Sequence, residues 1–205
     1  MPVAVVKVNP VVALLASAED VFAQKGYEGA TTGLIAKQAG IPKATLHYHF
    51  GTKEELYRQV LHSVFDEWHQ AAVKFDETDD PATALEGYVR VKMALSRTRP
   101  QGSKIWAQEM IAGSPHLMDI LTNEVKPWFD SRTARIQQWI DDGRMATINP
   151  QALMFMIWAT TQHYADFETQ IRVMTAQPAL DKDWFDQATD DVVALVLRAV
   201  GLANQ

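Results

Sequence analysis

Cysteine is absent from the 205 residues of this chain, and its absence removes several kinds of chemistry at once. The chain has no residue for a disulfide, a thiolate metal site or a cysteine nucleophile. A chain without cysteine fits the cytoplasm, which is the location that we expect. No apolar run reaches the roughly 18–20 residues that a helix needs to cross a bilayer, so we expect no membrane partner.

Signals for β-strands are nearly absent too, since no turn dipeptide joins alternating runs of β-branched residues. Signals for helix starts are frequent: Asp80-Pro81, Ser114-Pro115 and Asn149-Pro150 each set a capping residue before a proline that suits the first turn. We therefore predict an all-α chain of about nine helices. Those of the C-terminal body are expected near residues 81–98, 102–112, 115–141, 150–175 and 183–202, with a break or kink at Pro127.

The first third of the chain has equally clear helix boundaries. Apolar residues recur at helical spacing from Val11 to Phe22, and Gly26 follows where a C-terminal cap is expected. Two short helices are predicted next, from Thr32 to Ala39 and from Pro42 to Phe50. The sequence Thr52-Lys53-Glu54-Glu55 is a capping box that opens a longer helix toward Phe75.

Positive charge is in short supply, because the formal net charge of the chain is −6. An acidic chain at first argues against nucleic acid as a partner. The distribution weakens that argument, since residues 1–62 carry a net charge of +1 whereas residues 63–205 carry −7. A mildly basic N-terminal third beside an acidic body permits DNA binding without establishing it.

Residues 30–50 fit a helix-turn-helix. Gly40 can adopt the positive φ of the tight turn, and Ala36 and Ala39 are small enough for two helices to cross closely. The apolar residues expected to pack this pair on Phe22 are Ile35, Ile41, Leu46 and Phe50. The side chains left outward on the second helix are small, hydrogen-bonding or aromatic, which suits a major groove. Spacing alone is equally compatible with a helical hairpin inside a bundle.

Three consecutive segments decide between these two interpretations. They are Val21-Phe22-Ala23-Gln24-Lys25-Gly26-Tyr27, the Thr-x-x-x-Ile-Ala-x-x-Ala-Gly-Ile pattern that ends at Ile41, and the run from Thr45 to Leu56. Together they resemble the TetR family of transcriptional repressors, without a gap over about residues 11–62. The resemblance implies a three-helix DNA-binding domain over residues 1–56, joined by a linker helix to a helical ligand-binding and dimerisation domain over residues 57–205.

The resemblance also implies which residues contact DNA. Residues 43–49 correspond to the recognition helix, and Lys53 to a residue that holds a phosphate at the start of the next helix, where the helix N-terminus also favours an anion. The candidate DNA-binding residues are Thr32, Lys43, Ala44, Thr45, His47, Tyr48, His49 and Lys53.

Two positions depart from the family pattern. Many relatives carry a basic arm before the first helix, whereas here only Lys7 precedes Val11, which weakens the case for phosphate or minor-groove contacts from such an arm. Pro42 stands where relatives often have a capping serine. Because proline also suits a helix start, we expect little structural cost there.

Three segments of the body resemble the pyrimidine-utilisation branch of the same family, whose effectors are uracil and thymine. These segments are residues 88–92, residues 109–119, and the stretch from Phe155 to Phe167 within the helix predicted near 150–175. The resemblance implies a pyrimidine or a close analogue as the effector. The residues that it implies for binding are Trp68, Trp158 and Gln162.

The residues themselves allow a partial check of this ligand. Trp158 and Gln162 are four positions apart and therefore share one face of a helix. An indole stacks on a flat ring, and an amide offers a donor and an acceptor to the edge of a cyclic imide. Core packing is an ordinary alternative for a helix of this composition. An unrelated small aromatic or hydrophobic effector also stays open, as does a ligand-binding protein with weak DNA affinity.

Two histidine–aspartate pairs, His116 with Asp119 and His163 with Asp166, have the spacing of neighbours on one helix face. Neither pair forms a three- or four-ligand set, so we expect hydrogen-bonded histidines, no metal and no cofactor. No nucleophile elbow, phosphate-binding glycine loop or zinc-protease pattern is present. An enzyme that uses these pairs is the weakest of the functional alternatives.

The last predicted helix, 183–202, is apolar over much of its surface and must bury more than one face. We expect it to form a homodimer seam together with part of 150–175. A dimer reaches two successive major grooves of a palindromic operator when its recognition helices lie about one DNA turn apart, roughly 34–36 Å. The overall prediction is a repressor that a small effector releases from DNA through the helix beginning at Thr52.

Overall fold

The computed structural model describes residues 9–202, apart from the side chains of residues 71 and 74. Over this range every regular element is helical, which confirms the predicted all-α class. The N-terminal helices are α1 (Pro10–Gly29), α2 (Thr32–Ala39), α3 (Lys43–Phe50) and α4 (Lys53–Ala71). The others are α5 (Pro81–Thr98), α6 (Pro100–Ile111), α7 (Met118–Ile120), α8 (Lys126–Asp141), α9 (Pro150–Asp166), α10 (Glu168–Met174) and α11 (Lys182–Ala199).

Most helix starts follow the predicted caps. The Thr52 side chain accepts a hydrogen bond from Glu55 N, and the Glu55 side chain accepts one from Thr52 N, which completes the capping box. Asp80 and Asn149 cap α5 and α9 ahead of their prolines. Gly26 interrupts α1 with φ +69°, as expected of a C-cap glycine. Lys7 and the segment around it lie outside the described residues.

Three predicted boundaries were wrong. Ser114 does not cap a helix: its own φ is +58°, and α7 begins only at Met118. Pro127 causes no break, because a π-helical turn over Leu121–Val125 carries the chain into α8, and Lys126 N bonds to Leu121 O. The predicted helix over 150–175 is divided at Phe167, where φ is −115° and ψ is 27°.

Two apolar cores form around these helices. The first, the head core, joins α1 to α4 with part of α6, and Phe22, Leu46 and Leu61 are fully or almost fully buried in it. The second, the body core, joins α5, α8, α9 and α11 around buried Trp139 and Met93. Helices α4 and α6 pack between these cores and therefore connect them. None of the described helices is long and apolar enough to cross a membrane.

Candidate functional site

Helices α2 and α3 form the predicted helix-turn-helix. The Thr31 hydroxyl accepts a hydrogen bond from Leu34 N and caps α2, while Gly40 ends α2 in the left-handed conformation at φ +66°. The turn is closed by the hydrogen bond from Ile41 N to Ala36 O, at 3.0 Å. Behind the pair, the predicted packing set meets Phe22 in the head core; its members are Ile35, Ile41, Leu46 and Phe50.

One face of α3 stands free of the protein. Tyr48 is 84% exposed, the largest exposed aromatic surface in the described part of this helix pair. Neither α2 nor α3 contains an acidic residue, and Lys37 and Lys43 are exposed. The remaining candidates on this side of the molecule are the exposed Ala44, His47 and His49 and the half-buried Thr32 and Thr45. The face is therefore locally cationic although the whole chain is acidic.

Two of the candidate DNA-binding side chains also have partners inside the protein. His47 Nδ1 lies 2.7 Å from Gly51 O, and because a carbonyl only accepts, this nitrogen carries the proton. Lys53 Nζ donates to Tyr27 O at 2.9 Å and to Ala30 O at 3.3 Å, and it lies 4.1 Å from the centre of the Tyr27 ring. Lys53 thus fastens the start of α4 to the end of α1. These two hydrogen bonds leave the third ammonium proton of Lys53 free for a phosphate, and that contact stays a prediction.

A cavity lies between the body core and the middle of the molecule, and the three predicted ligand residues line it together. Its lining residues are Phe65, Trp68, His69, Tyr88, Lys92, Trp106, Val125, Trp128, Trp158 and Gln162. The space open to the centres of water molecules amounts to about 60 Å³. One water needs about 10–15 Å³ of this measure, so the cavity admits roughly four to six waters or one small planar molecule.

The walls of the cavity are mainly aromatic and hold each other in place. Trp158 Nε1 donates to the Tyr88 hydroxyl at 2.8 Å, and burial raises the pKa of Tyr88 so that this hydroxyl keeps its proton. The Trp128 and Trp158 rings stack at 6.1 Å, and Trp68 meets Trp106 edge to face at 5.1 Å. Such walls suit a flat, apolar-faced ligand.

Several polar groups of the lining are free to bind a ligand, among them Trp128 Nε1, which is buried without a hydrogen-bond partner among the described residues. Within the described part of the chain, the amide of Gln162 makes no hydrogen bond to protein, and neither does the ammonium group of Lys92. Lys92 is only 3% exposed, and its Nζ lies 3.9 Å from the centre of the Trp68 ring. Burial lowers the pKa of Lys92 to about 7, and the negative charge of Asp166 opposes this by raising the pKa.

The helix that carries one cavity wall also reaches the head. Phe65, Trp68 and His69 belong to α4, which starts at the residue after the Thr52 cap beside α3. Polar contacts tie the head to the body: Arg99 Nη2 lies 2.6 Å from Glu19 Oε2, and the Tyr57 hydroxyl donates to Glu109 Oε2 at 3.1 Å. A change in the cavity therefore has a continuous packed route to the helix-turn-helix.

The histidine–aspartate pairs do not form metal sites. His116 pairs with the buried Glu109 rather than with Asp119, through its backbone N–H at 2.6 Å and its Nδ1 at 3.2 Å. Asp119 instead binds Arg58. His163 stacks on Phe167 with ring centres 4.9 Å apart. Among residues 9–202, no three potential ligands gather closely enough to hold a metal ion.

The helices predicted for the dimer seam leave apolar side chains on the surface. Helix α11 buries Phe185, Val192 and Val196 against its own chain, so fewer of its apolar side chains are available for a second copy than its composition predicts. Leu195 of α11 is 61% exposed and Phe155 of α9 is 54% exposed.

Sequence reasoning missed most of the cavity. Phe65, Trp106 and Trp128 lie on helical faces that the sequence marks only as apolar, and Lys92 lies on a face of α5 that is otherwise core. The one available signal was Lys92 itself, because a lysine between Val89 and Met93 occupies a position of the buried face.

Two adjacent segments of the chain match known families. Residues 14–60 match the family described as bacterial regulatory proteins, tetR family, and residues 61–203 match the YcdC-like protein, C-terminal region. The HTH-type transcriptional regulator RutR of Escherichia coli (strain K12) is 40% identical over 188 residues, which are 92% of this chain and 89% of that protein.

Solved structures share the fold at lower identity. The ketosteroid transcriptional regulator KstR2 of Mycobacterium tuberculosis has a TM-score of 0.77 at 20% identity, over 96% of each chain. AibR in complex with isovaleryl coenzyme A and operator DNA has a TM-score of 0.72 at 18% identity, over 91% of this chain and 97% of the other. At these identities the likeness concerns the arrangement of helices alone.

Proposed function

This chain belongs to the TetR family of helix-turn-helix transcriptional regulators, and we propose that it is a homodimeric repressor that a small pyrimidine releases from its operator. The family consists of DNA-binding proteins and not of enzymes. The single observation that supports the effector most strongly is the cavity, where Trp68, Trp158 and Gln162 meet. We further propose residues 1–56 as the DNA-binding domain and residues 57–205 as the domain that binds the effector and forms the dimer.

The α3 face supports the DNA-reading role. Tyr48, Lys43 and Ala44 project from a helix whose opposite side is anchored by Leu46 and Phe50, so they are exposed on a rigid support. A lysine donates to phosphate or guanine, and a tyrosine offers both an aromatic face and a hydroxyl. The remaining candidates, Thr32, Thr45, His47, His49 and Lys53, flank this centre and would fix register through the backbone of DNA.

The size and chemistry of the cavity support uracil, thymine or a close analogue. A single six-membered ring is the size of ligand that the available space accepts, and indole walls stack on its faces. The free amide of Gln162 pairs with one imide edge, because an N–H and a carbonyl lie side by side there. The body segments at 88–92, 109–119 and 155–167 resemble the pyrimidine-utilisation branch of the family, which points to the same ligand.

The release mechanism follows from the position of α4. A ligand that binds one spacing of the two heads better than another shifts the dimer toward that spacing. If the favoured spacing departs from one DNA turn, the two recognition helices no longer fit successive grooves and the affinity for the operator falls. We propose that α4 transmits this change, because Phe65, Trp68 and His69 line the cavity on the helix that begins beside α3.

The dimer is proposed to form through α9 and α11. Phe155 and Leu195 are large apolar side chains left on these two helices, and pairing them with a second copy would remove that surface from water. Replacing Leu195 by glutamate should shift the protein toward monomer at micromolar concentration, as read by sedimentation. A dimer that is unaffected by Leu195→Glu and by Phe155→Glu would place the seam elsewhere.

Effector binding is tested by thermal unfolding of the purified protein with uracil and thymine. A ligand that binds only the folded state raises its stability, by roughly 2.7 kcal/mol at a hundredfold excess over the dissociation constant. We expect both pyrimidines to raise the melting temperature, and we expect Gln162→Leu to abolish the rise. Gln187→Leu, an exposed change on α11, is the matched control and should respond like the wild type. No shift with either pyrimidine would refute the effector.

DNA reading is tested separately, with DNA from upstream of the protein's own gene. Tyr48→Ala and Lys43→Ala should each weaken binding while the helicity and the dimer remain intact, because both side chains are exposed. The loss of one phosphate contact by Lys43→Ala should also reduce the salt dependence of binding. Unchanged affinity in both variants would show that α3 is not the reading helix.

A further inference from the structure

Lys92 is an unusual residue to find in this cavity. Its side chain is 97% buried, and within the described residues its ammonium has neither a hydrogen bond nor an ion pair within 4 Å. It lies over the ring of Trp68, whose centre is 3.9 Å away. A buried cation usually has a paired carboxylate, because a charge removed from water costs several kcal/mol. Because the described part of the chain supplies no such carboxylate here, we infer that a bound ligand supplies the partner of the Lys92 ammonium.

The charges around Lys92 narrow the identity of that partner. None of the ten lining residues is acidic, so the cavity offers nothing to neutralise a cationic or amino-rich ligand. Asp166 on α9 is not within ion-pair distance of Lys92 and acts on it only at longer range, and burial raises the pKa of Asp166. A ligand atom that accepts hydrogen bonds is therefore the favoured partner.

Gln162 cannot distinguish a ligand that presents an oxygen from a ligand that presents an amino group. A primary amide has a donor and an acceptor at one end and can rotate by 180°, so it pairs equally with an imide edge or with an amino-pyrimidine edge. A lysine ammonium has three donors and no acceptor. Trp128 Nε1 is also a buried donor without a partner among residues 9–202, but it is neutral. Lys92 differs from both groups because its ammonium is positively charged, so it attracts a ligand oxygen and repels the hydrogens of an amino group in the same place.

We propose that Lys92 is the residue that makes the cavity accept oxo-pyrimidines and reject amino-pyrimidines, by donating to a ring carbonyl oxygen and repelling an amino group. The inference deepens the proposed function and rests on it. Uracil and cytosine differ at this ring position, where an amino group replaces the oxygen, and at the neighbouring N3, which loses its proton. Because the Gln162 amide can turn to match either form of N3, the two bases are the matched pair of probes. A site rejects a near-identical ligand most strongly when that ligand leaves a buried polar group of the site unpaired.

The protonation of Lys92 gives the selection a pH dependence. Its pKa of about 7 means that a neutral amine, which can accept from an amino group, becomes common above that pH. The other titratable or charged groups around it are His69 on α4, Tyr88 on α5 and Asp166 on α9. Lys104 of α6 and His163 of α9 act on Asp166, and Arg132 of α8 acts on Tyr88. Selectivity for uracil is therefore expected to be greater at about pH 6 than at about pH 8, and to lose this trend when Lys92 is replaced.

The experiment is calorimetric titration of uracil and of cytosine into wild-type protein, Lys92→Met and Lys182→Met. Methionine keeps the length of the lysine stem without its charge, and Lys182 is an exposed lysine of α11 that serves as the control. The wild type and Lys182→Met should prefer uracil by tenfold or more. In Lys92→Met, uracil should bind at least tenfold more weakly and the preference over cytosine should fall to threefold or less.

The outcomes separate this inference from the function on which it rests. If the wild type binds neither base, the pyrimidine effector itself is refuted, and the role of Lys92 with it. If the wild type binds uracil and cytosine equally, or if Lys92→Met keeps the full preference, the effector stands and only the role of Lys92 is overturned. Thermal melts of each variant in the absence of ligand establish that the comparison is made between folded proteins.

Discussion

Replacing Lys92 by methionine should stabilise the empty protein, which is an uncommon result for a change in a core. The residue is 3% exposed, and burial lowers its pKa from 10.5 to about 7. Each pKa unit corresponds to about 1.4 kcal/mol, so holding the charged lysine in the folded state costs roughly 4–5 kcal/mol at or below pH 7. Methionine removes that cost and keeps most of the buried apolar stem.

The pH dependence identifies the cause. Between pH 7 and the unfolded pKa of 10.5, the unfolded chain still holds a proton that folded Lys92 has released, so the free energy of unfolding of the wild type rises with pH. From pH 7 to pH 9 this residue alone should contribute an increase of roughly 2 kcal/mol. The advantage of Lys92→Met over the wild type should shrink by the same amount, because every other titrating group is common to both proteins.

Urea denaturation of both proteins at pH 7 and pH 9, without ligand and at one protein concentration, measures this difference. The fixed concentration matters because a dimer's apparent stability depends on it. A difference between the two proteins that does not change with pH would show that Lys92 has an ordinary pKa. A variant less stable than the wild type at both pH values would show that the ammonium has a stabilising partner within the protein.

Two further changes probe the frame that holds the site. Gly40→Ala should lower the free energy of unfolding by about 1–2 kcal/mol, because φ is +66° and the Cβ would meet no atom within 4 Å, so only backbone strain opposes it; an unchanged urea midpoint would contradict this. Arg99→Met should cost roughly 3 kcal/mol or more in the same assay, because Glu19 is left nearly buried without its partner. The exposed pair of Lys182 with Asp186 gives the contrast, since Lys182→Met should change stability by less than about 1 kcal/mol.

The parts of the fold that the sequence predicts are those set by local chemistry. A threonine three residues before a glutamate defines the start of α4, and a glycine between two short apolar-patterned segments defines the turn at Gly40. Asp80 and Asn149 mark helix starts in the same way. These signals act within four residues, so they need no knowledge of the tertiary structure.

The parts that escaped prediction depend on residues far apart in the chain. Ser114-Pro115 has the pattern of a cap, but Glu109 captures the backbone N–H and the ring of His116 and holds the chain out of helix until Met118. Pro127 is tolerated because a π-helical turn precedes it. No local sequence pattern indicates the hydrogen bonds of Glu109 or the π-helical turn, so the prolines at 115 and 127 dominated the prediction.

The candidate site was predictable only through resemblance. Trp158 and Gln162 share a helix face by spacing, but no pattern connects them with Trp68, which lies ninety residues earlier on another helix. Lys92 was missed because a lone lysine in an amphipathic helix is ordinarily a solvated residue. Its importance comes from burial without a carboxylate, which only the folded chain makes visible.

Control of DNA binding by the cavity is measured most directly by the fluorescence anisotropy of labelled upstream DNA while uracil is added to its complex with the protein. We expect uracil to release the DNA from the wild type and to leave the complex of Gln162→Leu intact, with both proteins binding DNA equally well beforehand. If uracil leaves the wild-type complex unchanged at concentrations that saturate the protein, the cavity does not control DNA binding. Release that is identical in Gln162→Leu would place the effector site outside this cavity.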